Sequence, residues 1–218
     1  MSEGACVWAI RSFDALPSTQ RYLLEAIRSG AIGEPTAVLA AEQTAGEGSR
    51  GNRWEGGRGN FYASIAVEIA RMPDDLPPQS ASIYFGWLMR ESLRQAGARV
   101  WLKWPNDLYC DRDKVGGVIT HKSNGFYVVG IGVNLQKNTD NYQALRTDIS
   151  PLILLNMYLA RLEKFPNWKH LFSKFRIEFP LSRAFLTHQG AAHISMQDAV
   201  LCDDGSLQIN DERMYSLR

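Results

Sequence analysis

Cysteine and histidine are scarce in this sequence, and neither is spaced as a disulfide framework or a metal site. The 218 residues include three cysteines, Cys6, Cys110 and Cys202, which lie far apart without a CxxC spacing, and four histidines without an HExxH motif. Metal sites built from these side chains usually have a recognisable ligand spacing. We therefore expect no metal held by side chains. Isolated cysteines also favour a reducing compartment, here the cytoplasm.

An excess of charge and a long apolar run are missing as well. Lys and Arg total 24 against 23 for Asp and Glu, a net charge of +1. Proteins that bind nucleic acid by neutralising phosphates usually carry a basic excess, so this class is disfavoured. The N-terminal residues lack the basic start and apolar core of a signal peptide, and the longest apolar segment, 151–160, is too short to span a bilayer. We expect no membrane partner.

The remaining composition is that of a globular protein, with 45% hydrophobic residues. Its length suits one main domain with a small appendage, which we place at 1–180 and 181–218. The appendage is expected to be β-rich, because short apolar pieces flank a turn at 203–206. Strand patterns cover 7–13, 36–43, 61–70, 100–104, 114–122 and 126–135. Helix patterns cover 21–29, 77–96, 151–162 and 168–179.

The two strand patterns on either side of Asn124-Gly125 predict a tight hairpin. Pairing the residues next to the turn brings Lys114 and Asn134 to the same end of this hairpin. In a regular ladder their side chains would lie on opposite faces, because successive side chains alternate. Glycines in both strands allow a bulge or a close backbone approach. The sequence therefore leaves open which face Lys114 occupies.

A Gly-rich stretch at 44–60 contains Gly46-Glu47-Gly48-Ser49-Arg50-Gly51, which matches G-x-G-x-x-G after a predicted strand. No helix pattern follows it, so a dinucleotide-binding fold is disfavoured, and no P-loop motif occurs. We interpret the stretch as a long loop whose backbone can approach a ligand; taken alone, it could equally be a disordered surface loop. It offers three arginines for phosphates and one tryptophan for stacking: Arg50, Arg53, Arg58 and Trp54.

Five short motifs occur in a definite order along the chain. They are Ser18-Thr19-Gln20, Glu42-Gln43-Thr44-Ala45-Gly46-x-Gly48-x-Arg50-Gly51-x-x-Trp54, Lys103-Trp104-Pro105-Asn106-Asp107, Lys114-Val115-Gly116-Gly117-Val118 and Gly130-Ile131-Gly132-Val133-Asn134-Leu135. Their order and spacing resemble the biotin protein ligases over roughly residues 7–180. The resemblance implies an α+β fold, with a mixed β-sheet covered by helices on one face and a short β-rich C-terminal appendage.

The resemblance also implies a two-step reaction. The carboxylate of biotin attacks the α-phosphate of MgATP to give biotinyl-5′-AMP, and a lysine of the biotin carboxyl carrier protein of acetyl-CoA carboxylase then takes the biotinyl group. Biotin and ATP are thus expected as substrates, with Mg²⁺ accompanying ATP. A homodimer is allowed. DNA binding is not expected, because Ser18-Thr19 lies too near the start of the chain for the DNA-binding domain of some members.

By resemblance, the catalytic residues are Lys114, Asp107 and Arg50. Lys114 would contact the biotin carboxylate and the adenylate phosphate, where negative charge accumulates. Asn106 and Asp107 would orient the phosphate or help to deprotonate the incoming lysine, although a structural turn is the alternative. The residues expected to bind biotin and adenylate are Ser18, Thr19, Gln20, Gln43, Gly46, Glu47, Gly48, Ser49, Arg50, Trp54, Asn106, Lys114, Gly116, Gly117, Gly132 and Asn134.

Within that set, the resemblance assigns different ligand groups to different residues. Ser18, Thr19 and Gln43 would match the ureido ring, whose buried polar atoms need partners. Trp54 would join the adenine site and Asn134 the nucleotide. The glycines would allow the backbone to wrap biotin and exclude water.

The Gly-rich loop departs from the family pattern Gly-Arg-Gly-Arg-Arg-Gly-Arg. Glu47, Ser49 and Asn52 stand where relatives commonly carry arginine. We hypothesise that Arg50 and Arg53 compensate, and that the adenylate is retained less tightly than usual.

Two other functions remain to be weighed. A lipoate or octanoate ligase or transferase of the same fold is the runner-up, disfavoured because the 103–107 motif and the loop after Gln43 follow the biotin pattern. A non-catalytic repressor or adenylate-binding module is disfavoured by the charge balance and by the presence of Lys114.

Overall fold

A mixed sheet forms the centre of the molecule. The computed structural model describes residues 7–49, 52–54, 57–136, 143–145, 147–189 and 192–215. Its strands are β1 (Ala9–Phe13), β2 (Thr36–Ala40), β3 (Gly46–Glu47), β4 (Arg53–Trp54), β5 (Phe61–Glu68), β6 (Trp101–Lys103), β7 (Asp107–Cys110), β8 (Asp113–Ser123), β9 (Phe126–Val133), β10 (Leu186–Gln189), β11 (Ala192–Ser195), β12 (Val200–Leu201), β13 (Leu207–Ile209) and β14 (Glu212–Met214). The helices are α1 (Thr19–Arg28), α2 (Ala81–Gln95), α3 (Pro151–Leu162) and α4 (Trp168–Glu178).

Within the described ranges, seven strands form the main sheet in the order β1-β2-β5-β9-β8-β7-β6. Strands β1 and β2 run parallel, and the other neighbours are antiparallel. The α+β class and the mixed sheet implied by the resemblance are therefore confirmed.

Helices lie on both faces of this sheet, which corrects the expectation of a single covered face. Leu23 and Ile27 of α1 pack with Val38 and Val128 in a small core on one face. The remaining helices pack against alternate strand residues, such as Val129, in the larger core on the other face. Because side chains of a strand alternate between faces, β2, β5 and β9 each contribute to both cores.

The first turn of helix α1 is capped by a side chain. The Ser18 hydroxyl accepts a hydrogen bond from the Arg21 backbone N–H at 3.2 Å, which satisfies one of the free donors of the first turn. Gly30 follows the helix with a φ of +76°, a conformation that favours glycine. The N-terminus of α1 is thereby fixed over the sheet, with Thr19 hydrogen-bonded to Ser64 of β5.

The predicted hairpin is confirmed, including its register. Ser123 pairs with Phe126, and the ladder continues to Gly116 and Val133. Asn124 and Gly125 both have positive φ, as a tight primed turn requires.

Other boundaries differ modestly from the predicted ones. The predicted helix over 77–96 begins only at Ala81, after a short 3₁₀ turn. The 44–60 stretch is not simply a loop, because β3 and β4 pair within it, with Gly46 opposite Trp54.

The C-terminal residues form small sheets that pack on the main sheet's helices. Met196, Leu207 and Met214 belong to the same buried core as α2 and α4. The Trp104 indole N–H donates to the Gly205 carbonyl at 2.8 Å. The proposed division after residue 180 stays a prediction. No helix within the described ranges has both the length and the apolar character needed to cross a bilayer.

Candidate active site

A cavity of about 230 Å³ opens on the face of the sheet that α1 covers. Its wall combines the start of α1, the β3–β4 hairpin, the β6–β7 turn, β8 and β9. Fourteen of the predicted site residues line it: Ser18, Thr19, Gln20, Gln43, Glu47, Gly48, Ser49, Trp54, Asn106, Asp107, Lys114, Gly117, Gly132 and Asn134. Residues from distant parts of the chain thus meet in one place.

The remaining predicted site residues lie elsewhere. Gly46 lines a larger cleft that adjoins the cavity. Gly116 is not part of the cavity wall; a Cβ there would lie 2.9 Å from the Gly132 carbonyl oxygen. Arg50 lies outside the described residues. Arg58, one of the loop arginines suggested for phosphates, is not part of the cavity wall, and its guanidinium pairs with Asp14.

A bulge in β8 decides the face of Lys114. Leu108 of β7 pairs with Gly116, whereas the next residue, Tyr109, pairs with Lys114. Val115 is therefore the extra residue, and it is fully buried in the core. Because a bulge shifts the alternation by one residue, Lys114 lies on the cavity side together with Gly117.

Asp107 lies between two lysines at the edge of the cavity. Its Oδ1 atom is 2.6 Å from Lys114 Nζ, and its Oδ2 atom is 3.7 Å from Lys103 Nζ. Lys103 was not predicted as a site residue, and it lines the adjoining cleft. Two cations beside one carboxylate leave a local positive charge, which suits an anionic ligand group.

Thr19 and Gln43 form a fixed polar pair in the same cavity. Gln43 Oε1 accepts from the Thr19 backbone N–H at 2.8 Å and from its hydroxyl at 3.1 Å. These contacts set the orientation of the amide, so its nitrogen points away from Thr19, toward Gly46. The Thr19 hydroxyl also lies 2.9 Å from the Ser64 hydroxyl of β5, which ties the pair to the sheet.

Trp54 covers the end of β9. Its indole packs against Gly132, where a Cβ would lie 2.6 Å from the Cε2 atom. Lys114 Nζ is 5.9 Å from the ring centroid, within the range of a cation–π contact. The Trp54 Nε1 and Asn134 Oδ1 atoms are buried without a hydrogen-bond partner. A donor and an acceptor are thus left for a ligand.

Glu47 of the β3–β4 segment has an ion-pair partner on α1. The Arg21 guanidinium of α1 donates two hydrogen bonds to the Glu47 carboxylate, one of them at 2.7 Å. Arg53 donates to the Thr44 carbonyl at 2.8 Å and lines the cavity. The β3–β4 hairpin is therefore attached to α1 beside the cavity.

Some cavity residues were missed from the sequence. They are mainly apolar or glycine: Val118, Ile119, Gly130 and Ile131. Ile119 and Gly130 are paired in the hairpin and share the face of Gly132, so the alternation of β8 and β9 could have identified them. Among the described side chains, no group of three or more His, Cys, Asp and Glu is arranged to hold a metal ion.

The sequence matches a protein family and several curated proteins. Residues 12–138 match the profile described as the Biotin/lipoate A/B protein ligase family. The chain is 34% identical over 127 residues to the "Bifunctional ligase/repressor BirA" of Escherichia coli (strain K12), covering 55% of this chain and 38% of that protein. It is 29% identical over 130 residues to the "Biotin--[acetyl-CoA-carboxylase] ligase" of Mycobacterium tuberculosis (strain ATCC 25618 / H37Rv), covering 54% and 46%. The chain spans less than half the length of both curated relatives.

A solved structure is similar over nearly the whole chain. The "Biotin Acetyl Coenzyme A Carboxylase Synthetase from Helicobacter pylori with bound Biotinylated ATP" superposes with a TM-score of 0.92 at 36% identity, covering 96% of this chain and 100% of that one. The family profile covers more than half of the chain, including all five motifs. The chain therefore belongs to the biotin/lipoate A/B protein ligase family.

Proposed function

We propose that the protein is an ATP-dependent biotin protein ligase, which makes biotinyl-5′-AMP and transfers the biotinyl group to a lysine of a biotin carboxyl carrier protein. The observation that carries this proposal is the cavity that holds both Lys114 and the fixed Thr19–Gln43 pair. Lys114 supplies a cation for a carboxylate and a phosphate. The Thr19–Gln43 pair supplies oriented polar groups for a ring. Support also comes from the similar Helicobacter pylori structure, which contains bound biotinylated ATP.

In the first step, an oxygen of the biotin carboxylate attacks the α-phosphorus of ATP and pyrophosphate leaves. Both reacting groups are anionic, so the barrier falls when a cation is already positioned between them. Lys114 takes this role, with Asp107 holding its ammonium group in place. Mg²⁺ enters as part of the substrate MgATP.

In the second step, the lysine amine of the carrier attacks the acyl carbon of the mixed anhydride. An amide forms, AMP leaves with the bonding electrons, and the amine loses a proton. Asp107 lies beside the adjoining open cleft, from which the lysine would approach, and could accept that proton. The acetyl-CoA carboxylase carrier is proposed from the name of the Mycobacterium tuberculosis relative.

Two further parts of the proposal concern assembly and location. Strand β1 lies at one edge of the main sheet, where a second copy could add its own edge strand to form a homodimer. The cytoplasmic location remains a prediction from the cysteine pattern.

The proposed reaction is tested by incubating the protein with MgATP, biotin and an apo carrier domain. We expect a mass gain of one biotinyl group on the carrier, dependent on ATP. Parallel reactions contain lipoate or octanoate in place of biotin. Modification with either of these, but not with biotin, would replace the proposal with the runner-up function of the same family.

The proposed loose retention of the adenylate has its own test. The release rate of biotinyl-5′-AMP is compared with that of a relative carrying the arginine-rich loop. Faster release is expected from this protein. An equal or slower rate would contradict the proposed loose retention of the adenylate.

A further inference from the structure

Asn60, immediately before β5, is a buried polar residue outside the cavity wall. The residue is 2% exposed. Its Oδ1 atom accepts two hydrogen bonds, from the backbone N–H groups of Leu135 and Gln136, each at 2.9 Å. Its Nδ2 atom donates to the Gly57 carbonyl oxygen at 3.2 Å. Because a backbone N–H only donates and a backbone carbonyl oxygen only accepts, the orientation of the Asn60 amide is fixed.

The two N–H groups belong to the segment that follows β9. The ladder between β5 and β9 ends with Phe61 opposite Val133, so Asn60 and Asn134 are the next residues along the two strands. Beyond this point, the Asn60 side chain takes the place of a strand partner for the backbone that leaves β9. Leu135 is fully buried, so its N–H would lose its partner away from water if Asn60 were removed.

Asn134 lies between this segment and the cavity. Its backbone N–H donates to the Val115 carbonyl at 2.7 Å, and its own carbonyl accepts from the Leu145 N–H at 2.9 Å. Its side-chain nitrogen donates to the Gln143 carbonyl at 3.2 Å. The Oδ1 atom is buried without a partner, on a residue that lines the cavity. The position of that oxygen therefore depends on the backbone that Asn60 holds at the next two residues.

The donor half of the Asn60 amide shares its target with another side chain. The Gly57 carbonyl also accepts from the Tyr62 hydroxyl at 2.9 Å. Burial raises the pKa of Tyr62 above its usual range, so its hydroxyl stays a protonated donor at neutral pH. Loss of the Asn60 donor therefore leaves Gly57 with a partner. The contacts that depend on Asn60 itself are those to the backbone after Asn134.

We propose that Asn60 is a positioning residue for nucleotide binding, because it fixes the backbone that directs Asn134 Oδ1 into the cavity. This inference rests on the proposed ligase function, in which Asn134 contacts the nucleotide. Thr19 and Gln43, the polar pair proposed for the biotin ring, belong to α1 and to the segment after β2. Loss of Asn60 should therefore weaken the use of ATP and leave the use of biotin unchanged.

The proposal is tested with Asn60→Leu, which keeps the branched side chain and removes every polar atom from it. Adenylate formation is followed as biotin-dependent release of pyrophosphate, with ATP and biotin varied in turn. We expect the KM for ATP to rise ~5-fold to ~15-fold and the KM for biotin to stay within ~2-fold of wild type. Asn60→Ala, which cannot overpack the site, is measured in parallel and should give the same result.

A purely structural role would have a different kinetic signature. Partial unfolding lowers the amount of active protein, and hence the apparent kcat, without changing the KM for either substrate. An unchanged KM for ATP, or an equal rise in the KM values for ATP and biotin, would overturn the inference.

Asn60→Asp is the conservative variant that should restore the function. It keeps an oxygen that can accept from Leu135 and Gln136 and loses only the donor toward Gly57. We expect its KM for ATP to lie within ~3-fold of wild type. A rise as large as in Asn60→Leu would show that the two accepted hydrogen bonds do not position Asn134.

Asn167→Leu is the matched control. Asn167 Oδ1 also accepts from a backbone N–H, that of His170 at 2.9 Å, but it does so at the start of α4 and outside the cavity wall. This variant should lower the thermal stability and leave both KM values unchanged. A rise in its KM for ATP equal to that of Asn60→Leu would show that any lost asparagine contact has this effect.

A second measurement separates positioning of Asn134 from general destabilisation. Asn60→Leu is introduced into an Asn134→Ala background, where no amide remains to be positioned. If Asn60 acts through Asn134, it should raise the KM for ATP by less than ~2-fold in that background. A rise as large as in the wild-type background would show that Asn60 acts by another route and would overturn the inference.

These outcomes separate the inference from the proposed function. A wild-type protein that makes no biotinyl-5′-AMP would overturn both. A wild-type protein that makes biotinyl-5′-AMP, with an unchanged KM for ATP in Asn60→Leu, would leave the ligase function standing and overturn the role of Asn60 alone.

Discussion

At the scale of single residues, the bulge at Val115 has the largest chemical consequence. A regular strand would direct Lys114 to the core face, where an ammonium group without a partner is strongly disfavoured. The bulge instead buries Val115 and leaves Lys114 beside Asp107 on the cavity side. The proposed cation of the reaction therefore depends on one extra residue in a strand.

We predict that Lys114→Ala lowers the rate of adenylate formation by about 100-fold to 1000-fold, the usual effect of removing one charge-stabilising donor. The readout is biotin-dependent release of pyrophosphate. Lys122→Ala is the matched control, because Lys122 lies on the same strand and packs on Tyr127. Full activity in Lys114→Ala would remove this lysine from the mechanism.

Gly132 offers a second test at this scale. A Cβ at this position would overlap the Trp54 indole, so Gly132→Ala must displace that ring. We expect a loss of roughly 1–3 kcal/mol of stability or ligand binding from the overpacked contact. Thermal unfolding measures the loss of stability, and calorimetry measures the loss of biotin binding. Gly33→Ala, where a Cβ meets nothing within 4 Å, is the control; equal behaviour of the two variants would contradict the packing argument.

At the scale of secondary-structure elements, the β3–β4 hairpin is held against α1 by an ion pair. The side chains of Arg21 and Glu47 are 49% and 36% exposed, so the pair is screened by solvent. Exposed ion pairs contribute only about 0.2–1 kcal/mol. A contribution of this size adjusts how often the hairpin opens without being essential to the fold.

We therefore predict that Arg21→Gln and Glu47→Gln each speed the dissociation of biotinyl-5′-AMP by ~1.5-fold to ~5-fold. The double variant should be no faster than either single one, because both substitutions break the same contact. The difference should shrink at high salt. Glu34→Gln, an exposed carboxylate outside the cavity wall, is the control. Additive effects of the two substitutions would show that the pair does not act as a unit.

At the scale of the whole molecule, the C-terminal strands and the main sheet share one core. Ser182 Oγ accepts from the Trp104 backbone N–H at 3.1 Å, and the Trp104 side chain bonds to Gly205. Trp104 precedes Asn106 and Asp107, which line the cavity. The C-terminal residues thus stabilise the turn that presents these two side chains.

We predict that Leu207→Ala destabilises the entire chain, by about 2–5 kcal/mol for a buried leucine. Unfolding followed by tryptophan fluorescence and by circular dichroism should remain a single transition with a lower midpoint. Val200→Ala, at an exposed position of the neighbouring strand, should change the midpoint little. Two separate transitions would instead support an independent unit at 181–218.

Local patterns accounted for much of the fold. The α3 bounds and the β8–β9 register follow from proline and turn preferences that act within a few residues. The placement of α1 on the opposite face from the other helices did not follow, because an amphipathic helix does not specify which side of a sheet it covers. The β3–β4 pairing was also missed, since two-residue strands leave no periodic pattern.

For the candidate site, the motifs identified most of the residues that meet in the cavity, and their family membership is confirmed by the comparisons. The roles of individual residues remain predictions. The pairing of Arg58 with Asp14 was not predicted, because the two residues are 44 positions apart in the chain. The hydrogen-bond partners of Gln20 could not be predicted from the sequence either, because His121 and Val128 are more than 100 residues away in the chain.

By itself, the sequence determined the family, the hairpin with its register and the types of side chain available for chemistry, because these depend on local order and spacing. Only the tertiary structure decided the orientation of those side chains. The bulge that directs Lys114 depends on how β8 pairs with the neighbouring strand β7. The ion pair that holds Glu47 and the unpaired Gln20 carbonyl depend on contacts between distant segments. Such contacts form only when burial brings the segments together, so no local pattern encodes them.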